Sequence, residues 1–298
     1  MLDGGPGNNT LDEGPGQGGV IFRGPPGDDV MLVDWSLGPN GAVADLWING
    51  VASSHAYRNG ETVILLGGDG DDRLELIGEA RTRWQAKFFG QGGNDLLVGG
   101  ERPDQLIGGP GHDQIHGRGD SDIIRGDEGN DLLWGDRGDD RILGGIGNDQ
   151  LFGGLGVDSL FGEDGNDYLF GEAGNDLLHG GSGNDELYSG AGENVLIGGT
   201  GRDKLYGGIG SDLLLGGTTE FDSRYYRLSL VASIWSSGIN FRDRVNATRL
   251  ALPVSRIVDD RQVDLLFGDT GRDWYVNLSN SDVLRGVDRD PINGDVVN

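Results

Sequence analysis

Aspartate recurs at a fixed interval through the middle of this 298-residue chain, and rows of carboxylates at fixed spacing are ligands for hard cations. From Gly90 to Leu215 the chain divides without a gap into fourteen nine-residue units. Examples are Gly126-Asp-Glu-Gly-Asn-Asp-Leu-Leu-Trp134, Gly144-Gly-Ile-Gly-Asn-Asp-Gln-Leu-Phe152 and Gly180-Gly-Ser-Gly-Asn-Asp-Glu-Leu-Tyr188. The sixth position is Asp in thirteen units and Asn194 in the other; the eighth is Leu or Ile in all fourteen. The fourth is Gly except at Arg102 and Asp120. A Gly-rich acidic linker would not hold this register for 126 residues.

These units resemble the nonapeptide Gly-Gly-x-Gly-x-Asp-x-(large apolar)-x of the hemolysin-type, or RTX, family of bacterial repeat proteins. The resemblance covers the whole central segment. Outlying units extend it: Gly24-Pro-Pro-Gly-Asp-Asp29, Gly67-Gly-Asp-Gly-Asp-Asp72 and Gly268-Asp-Thr-Gly-Arg-Asp273, with a degenerate Gly4-Gly-Pro-Gly-Asn-Asn9 near the start. It implies an all-β fold, a parallel β-roll (a right-handed β-helix of nonapeptide repeats) that binds several Ca²⁺ ions.

The residues explain why such a coil forms. Glycine at positions one, two and four permits positive φ and a tight turn. Asn at position five (Asn94, Asn130, Asn148, Asn166, Asn175, Asn184) is expected there because it tolerates the left-handed region. The last three residues of each unit form a strand, so position eight faces inward while seven and nine face out. Two units make one coil, so each unit stacks on the next but one, about 4.8 Å away. One stack then carries Asp95, Asp113, Asp131, Asp149, Asp167, Asp185 and Asp203; the other carries Asp104, Asp122, Asp140, Asp158, Asp176, Asn194 and Asp212. With Asp29, Asp72 and Asp273 from the outlying units, the sixteen aspartates are the candidate metal ligands.

Carboxylates so close repel by about 1 kcal/mol in water, and by more in a less polar turn. A divalent cation between turns reverses that sign. Ca²⁺ takes six to eight oxygens and accepts carboxylates and backbone carbonyls together, whereas Mg²⁺ demands a smaller, stricter octahedron. Zn²⁺ prefers His and Cys, and these loops offer no Cys and a single His, His112. Six gaps in each stack give roughly 12 Ca²⁺ sites, the weakest beside Asn194 and the Arg102–Pro103 loop.

Composition agrees. Hydrophobic residues are 35% of the chain and glycines number 59, too little apolar material for an ordinary core. With 49 acidic and 23 basic residues the net charge is −26, which turns away nucleic acid and anionic membranes and favours cations. No apolar stretch is long enough to span a membrane, and there is no cysteine. Met1-Leu2-Asp3 runs straight into glycines with no secretory signal, and the chain begins within a repeat, as a piece of a longer protein would.

Three segments follow. Residues 1–89 are an irregular, β-rich part of the roll, with strands over Val30–Val33, Ala42–Ile48 and Thr62–Leu66 and turns at Gly38–Gly41 and Asn49-Gly50. A separate small β-domain is the alternative. Residues 90–217 are the regular roll. Residues 218–298 form a helical and irregular C-terminal cap with a final repeat unit. There, Glu220–Ser237 places Tyr225, Leu228, Val231 and Trp235 at helical spacing, a second helix is expected over Asn240–Arg249, and strands over Val254–Val258 and Asp264–Phe267. Gly216–Asp222 and Gly271–Tyr275 look like the C-terminal region of RTX-type proteins, and a cap would shield the open edge of the roll.

Position-nine residues Trp134, Phe152, Phe170, Tyr188 and Tyr206 share one stack and should form an aromatic column on an outer face. Arg-Gly-Asp occurs at 118, 125 and 137, at three different repeat positions, as chance in so Gly- and Asp-rich a chain would give. His55, His112, His116 and His179 form no zinc motif, and neither a nucleophile elbow nor a P-loop is present. A catalytic carboxylate pair occurs once, whereas these aspartates repeat, so no enzyme activity is expected. The reading is a calcium-binding structural or binding module, secreted by a type I route or held at the cell surface, and monomeric. The alternatives are an export and folding appendage of a larger secreted enzyme, or an adhesin whose partner is a surface polysaccharide or protein.

Overall fold

Three residues after each turn aspartate take up strand geometry, and the strands lie parallel at a separation of 18 residues. Leu96 pairs with Gln114, Gln114 with Leu132, and Leu177 with Val195. Successive units feed two sheets in turn, so two units complete one coil. The computed structural model describes residues 19–24, 26–38, 41–48, 51–56, 62–78, 80, 84–219, 225–237, 257–258, 264–268, 273–276, 283–285 and 296–297. The chain is an all-β parallel β-solenoid with a short helix. It divides into two compact units, Met1–Ile142 and Leu143–Asn298.

In the first unit one sheet runs through β1 (Gly19–Arg23), β5 (Thr62–Asp69), β7 (Gln85–Gly92), β9 (Gln105–Pro110) and β11 (Ile123–Glu128). The other runs through β2 (Val30–Gly38), β6 (Arg73–Leu76), β8 (Leu96–Val98), β10 (Gln114–Gly119) and β12 (Leu132–Arg137). The expected N-terminal strands are present and longer than their apolar cores. Their coils are also longer: β2 meets β6 at Val30↔Arg73, and β6 meets β8 at Arg73↔Leu96. The extra length of the first coil is an antiparallel meander. β3 (Gly41–Ile48) and β4 (Val51–Ala56) fold back beside β2, with Gly38 opposite Gly41 and Ile48 opposite Val51. The two expected turns fall between these paired residues, and residues 39–40 and 49–50 themselves lie outside the described residues.

β13 (Arg141–Ile146) contains the division between units. In the second unit one sheet holds β15 (Ser159–Asp164), β17 (Leu177–Ser182), β19 (Val195–Thr200), β21 (Leu213–Leu215), β25 (Trp274–Val276) and β27 (Val296–Val297). The other holds β14 (Gln150–Leu155), β16 (Tyr168–Ala173), β18 (Glu186–Tyr188), β20 (Lys204–Tyr206), β24 (Leu265–Phe267) and β26 (Val283–Arg285). The last regular strands pair across a long excursion, Lys204 with Leu265 and Leu213 with Trp274. At its ends β22 (Thr218–Thr219) pairs antiparallel with β23 (Ile257–Val258).

The core inside each unit is the file of eighth-position side chains. Leu97, Leu106, Ile115, Ile124 and Leu133 in the first, and Leu151, Leu160, Leu169, Leu178, Leu187, Leu196, Leu205 and Leu214 in the second, are fully buried. Outward positions behave differently on the two sheets of the second unit. On one, the seventh positions are Gln150, Tyr168, Glu186 and Lys204 and the ninth positions are half-buried aromatic rings; on the other Leu177, Val195, Ile197, Leu213 and Leu215 are buried as well. These residues lie under the helix α1 (Tyr225–Trp235), whose Leu228, Val231 and Trp235 join them in one apolar cluster with Phe161. The outward face is therefore a second core, which strand alternation alone did not imply.

Trp235 anchors that cluster. Its ring is fully buried and its Nε1 donates to the Ser211 carbonyl at 2.7 Å. Trp235→Ala should cost about 3–5 kcal/mol in chemical denaturation of the calcium-saturated protein. A change below about 1 kcal/mol would show that the helix is not fastened through this ring. The second expected helix, Asn240–Arg249, lies outside the described residues, as do residues 254–256 of the expected strand.

Candidate functional site

Each turn is built around its sixth-position aspartate, and burial is the first fact about these side chains. Asp95, Asp104, Asp113, Asp122, Asp131, Asp140, Asp149, Asp158, Asp167, Asp176, Asp185, Asp203 and Asp212 are all at most 4% exposed. Asp29, Asp72 and Asp273 are buried with them.

One carboxylate oxygen is held by the coil. In the first unit the backbone N–H of Asp29 donates to Asp72 Oδ1, Asp72 to Asp95, Asp95 to Asp113 and Asp113 to Asp131, at 2.7–2.8 Å. On the other side Asp104 donates to Asp122 and Asp122 to Asp140, both at 2.7 Å. In the second unit the ladder runs Asp149 to Asp167, Asp185 and Asp203, ending on Asp264 Oδ1 at 3.0 Å. Its companion runs Asp158, Asp176, Asn194, Asp212 and Asp273.

The other oxygen is left over. Oδ2 of Asp72, Asp95, Asp113, Asp122, Asp167 and Asp185 is buried and accepts no hydrogen bond among the described residues. A buried carboxylate oxygen without a donor is costly unless a cation faces it. The space beside it is kept open by the first-position glycine. A Cβ on Gly171, for example, would stand 2.6 Å from Asp176 Oδ2 and 2.7 Å from the carbonyl oxygen one coil on. Carboxylate oxygen and backbone carbonyl thus converge where glycine has no side chain. Among the described residues no group of three or more His, Cys, Asp or Glu side chains is gathered as a metal site. A cation placed here would have to draw on backbone carbonyls for most of its ligands, and Ca²⁺ accepts such a shell.

The electrostatics point the same way. Burial, chiefly, pushes the carboxyls of Asp72, Asp113, Asp167 and Asp185 up to about 7, Asp212 to about 8 and Asp122 to about 9. Neighbouring carboxylates of the same file add to the rise at Asp72, Asp113, Asp122 and Asp167, while the ladder N–H holds each value down.

Two expectations about the turn are corrected. Asn at position five does not adopt positive φ. Its side chain forms a second ladder instead: Asn166 N–H donates to Asn148 Oδ1, Asn184 to Asn166 and Arg202 to Asn184, at 2.8–2.9 Å. His112 serves in the same way, accepting from Asn130 N–H at Nδ1. First-position glycines are also not in the positive-φ region, which falls on positions two and four. They are required by the missing Cβ rather than by their dihedrals.

Asp104 stands apart. Its Oδ1 accepts from Ala86 N–H at 2.5 Å and its Oδ2 from Gly100 N–H at 2.6 Å, so both oxygens are satisfied. Burial still pushes the Asp104 carboxyl up to about 7, against the two backbone N–H donors and the charges of Arg102 and Arg118, whose guanidinium is bound to Glu75 at 2.8 Å and to the Gly99 and Leu76 carbonyls. That pairing engages the first Arg-Gly-Asp arginine; the second, Arg125, pairs with Asp127 at 2.5 Å.

Asp264 was not among the sequence candidates. It receives the Asp203 N–H and lies against Gly216, so glycine and aspartate of one turn are parted by the whole excursion that carries α1. The signal available was the Asp-Leu-Leu-Phe ending of a repeat without its glycines. The aromatic column exists within the second unit: Phe152, Phe170, Tyr188, Tyr206 and Phe267 stack with centroids 4.5–5.1 Å apart. In the first, Trp134 stacks on His116 at 4.1 Å. Ring faces are turned on one another, so the column reinforces the sheet.

A solenoid with glycine–aspartate turns of this kind is a structural, calcium-binding repeat module. The family model for the RTX calcium-binding nonapeptide repeat matches four times, over residues 89–124, 116–151, 152–187 and 188–218. The repeat segment of this chain belongs to that family, and the family binds calcium. No curated protein matches the chain. Among the described residues no helix is long and apolar enough to cross a membrane.

Proposed function

We propose that the sixth-position aspartates, together with carbonyls of the glycine turns, hold a file of Ca²⁺ ions on each side of the coil, and that at neutral and alkaline pH the roll folds only when they are bound. The observation that carries this is the repeated buried Oδ2 with no donor, set beside an open glycine. The regular roll over 90–217 is the loading segment, 1–89 its irregular start and 218–298 its cap. Asp264 is a further ligand. The module is structural rather than catalytic, since its acids repeat instead of pairing. It works outside the cell, at the surface or in the medium, where calcium is plentiful; inside, the chain would stay unfolded and fit for export.

Calorimetric Ca²⁺ titration of the whole chain tests this, with far-UV circular dichroism followed in parallel. Uptake of many ions with a rise in β-signal is expected. Uptake of no more than about two ions, with the β-signal unchanged, would sink the proposal. Two variants sharpen it. Asp167→Asn should lower the stoichiometry by at least one ion, because its Oδ2 has no other partner. Asp104→Asn should leave it unchanged, because protein donors already satisfy that carboxylate.

A further inference from the structure

The fourteen units break two rules once each, and both breaks fall in one turn. Position one is glycine everywhere except Ser189; position six is aspartate everywhere except Asn194. Both side chains are fully buried.

The ladder itself survives. Asn194 Oδ1 still accepts the Asp176 N–H at 2.8 Å, and Asn194 N–H still donates to Asp212 Oδ1 at 2.8 Å. What changes is the space on the other side of the carboxylate. Elsewhere that space is bounded by Oδ2, by a glycine with no Cβ, and by the first-position carbonyl of the next coil: Gly180 for Asp167, Gly198 for Asp185, Ser189 for Asp176. Here Ser189 puts a Cβ into it. Its Oγ donates to the Gly207 carbonyl at 2.5 Å, the carbonyl that takes that place in this turn, and lies 3.3 Å from the Tyr206 carbonyl. Where the other turns have Oδ2, this one has Nδ2, a donor, buried and without a well-formed hydrogen bond. Two donors now occupy a space where a cation needs acceptors, and one negative charge is gone.

We propose that the Ser189–Asn194 turn is an ion-free rung, in which the serine hydroxyl and the asparagine amide replace a calcium ion. The inference rests on the calcium reading of the other turns. It divides this file of the second unit into two separately loading parts, Asp158 with Asp176 and Asp212 with Asp273. In the folded coil the rung keeps its coil-to-coil hydrogen bonds without an ion of its own. A single reversion does not restore it: Asn194→Asp returns the carboxylate but leaves Ser189 filling the cradle and engaging the Gly207 carbonyl.

Ca²⁺ titration of the full-length protein by calorimetry tests this, with circular dichroism in saturating Ca²⁺ to verify the fold. The double variant Ser189→Gly/Asn194→Asp, which restores the sequence of the other turns, should bind at least one more ion than the natural chain. Asn194→Asp alone should bind no more than the natural chain. In the opposite direction, Gly162→Ser/Asp167→Asn should move the device to another turn and lose at least one ion with the fold retained. A double variant with unchanged stoichiometry overturns the proposal, as does a gained ion in Asn194→Asp alone. If the natural chain takes up no calcium, the calcium reading falls with it; if it loads fully and only the double variant fails, this inference alone is lost.

Discussion

Stripped of metal, the protein should show little β-structure at pH 8 and regain much of it on acidification to pH 5. The coil buries a file of carboxylates, and without calcium a proton is the other cation that can neutralise them. In the folded coil the carboxyls of Asp72, Asp113, Asp167 and Asp185 stand at about 7, Asp212 at about 8 and Asp122 at about 9. An aspartate in the unfolded chain titrates at about 3.9. Each raised value means that the folded state binds more protons than the unfolded one between these limits. Unfolding free energy therefore falls as pH rises through that window, and the metal-free coil is lost on the alkaline side. The contribution is complete only below about pH 4, but with a pI near 4.2 the chain has little net charge there, so pH 5 is the practical lower limit. Circular dichroism of metal-stripped protein from pH 8 to pH 5 gives the measurement. With saturating calcium the same span should leave the signal flat, while the apparent Ca²⁺ affinity weakens towards acid because ion and proton compete for one oxygen. A metal-stripped signal that does not change with pH would show that the buried carboxylates do not govern folding.

What the sequence revealed and what it hid divide along one physical line. Asp131, Leu133 and their equivalents were legible because each acts within its own nonapeptide: one closes the turn, the other enters the core two residues later. Asn166 was misread because its partner is not local. Its amide serves the next coil, and a propensity argument restricted to one residue finds only the dihedral preference. Asp264 was hidden for a related reason, since its glycine, Gly216, precedes the entire helical excursion. Leu177, Val195 and Leu213 did carry a visible sign, an apolar residue where strand alternation calls for a polar one. That sign becomes readable only once α1 is known to lie over their sheet. Asp104 and Asp122 looked alike in the repeat, yet Asp104 is satisfied by Ala86 and Gly100.

Gly165→Ala should destabilise the calcium-saturated protein by more than about 4 kcal/mol, or abolish folding. Gly165 is a fourth-position glycine with φ +153°, and a Cβ there would stand 1.5 Å from the carbonyl oxygen of Gly147 in the coil before it. That oxygen is backbone, fixed by the stacking of the coils, and cannot swing aside as a side chain would. Two effects are combined in the variant, positive φ and coil-to-coil contact, and the chain contains a position that separates them. Gly27 is the fourth residue of its own unit, has φ +113°, and would present its Cβ to nothing within 4 Å among the described residues. Gly27→Ala therefore carries the dihedral cost alone, about 1–2 kcal/mol. The difference between the two variants, read from denaturant midpoints at saturating calcium, measures how closely the coils are pressed together at the fourth position. Equal losses would mean that the backbone dihedral, and not the approach of successive turns, is why glycine stands there. The coil spacing on which the calcium sites depend would then have to be set by the aspartate and asparagine ladders alone.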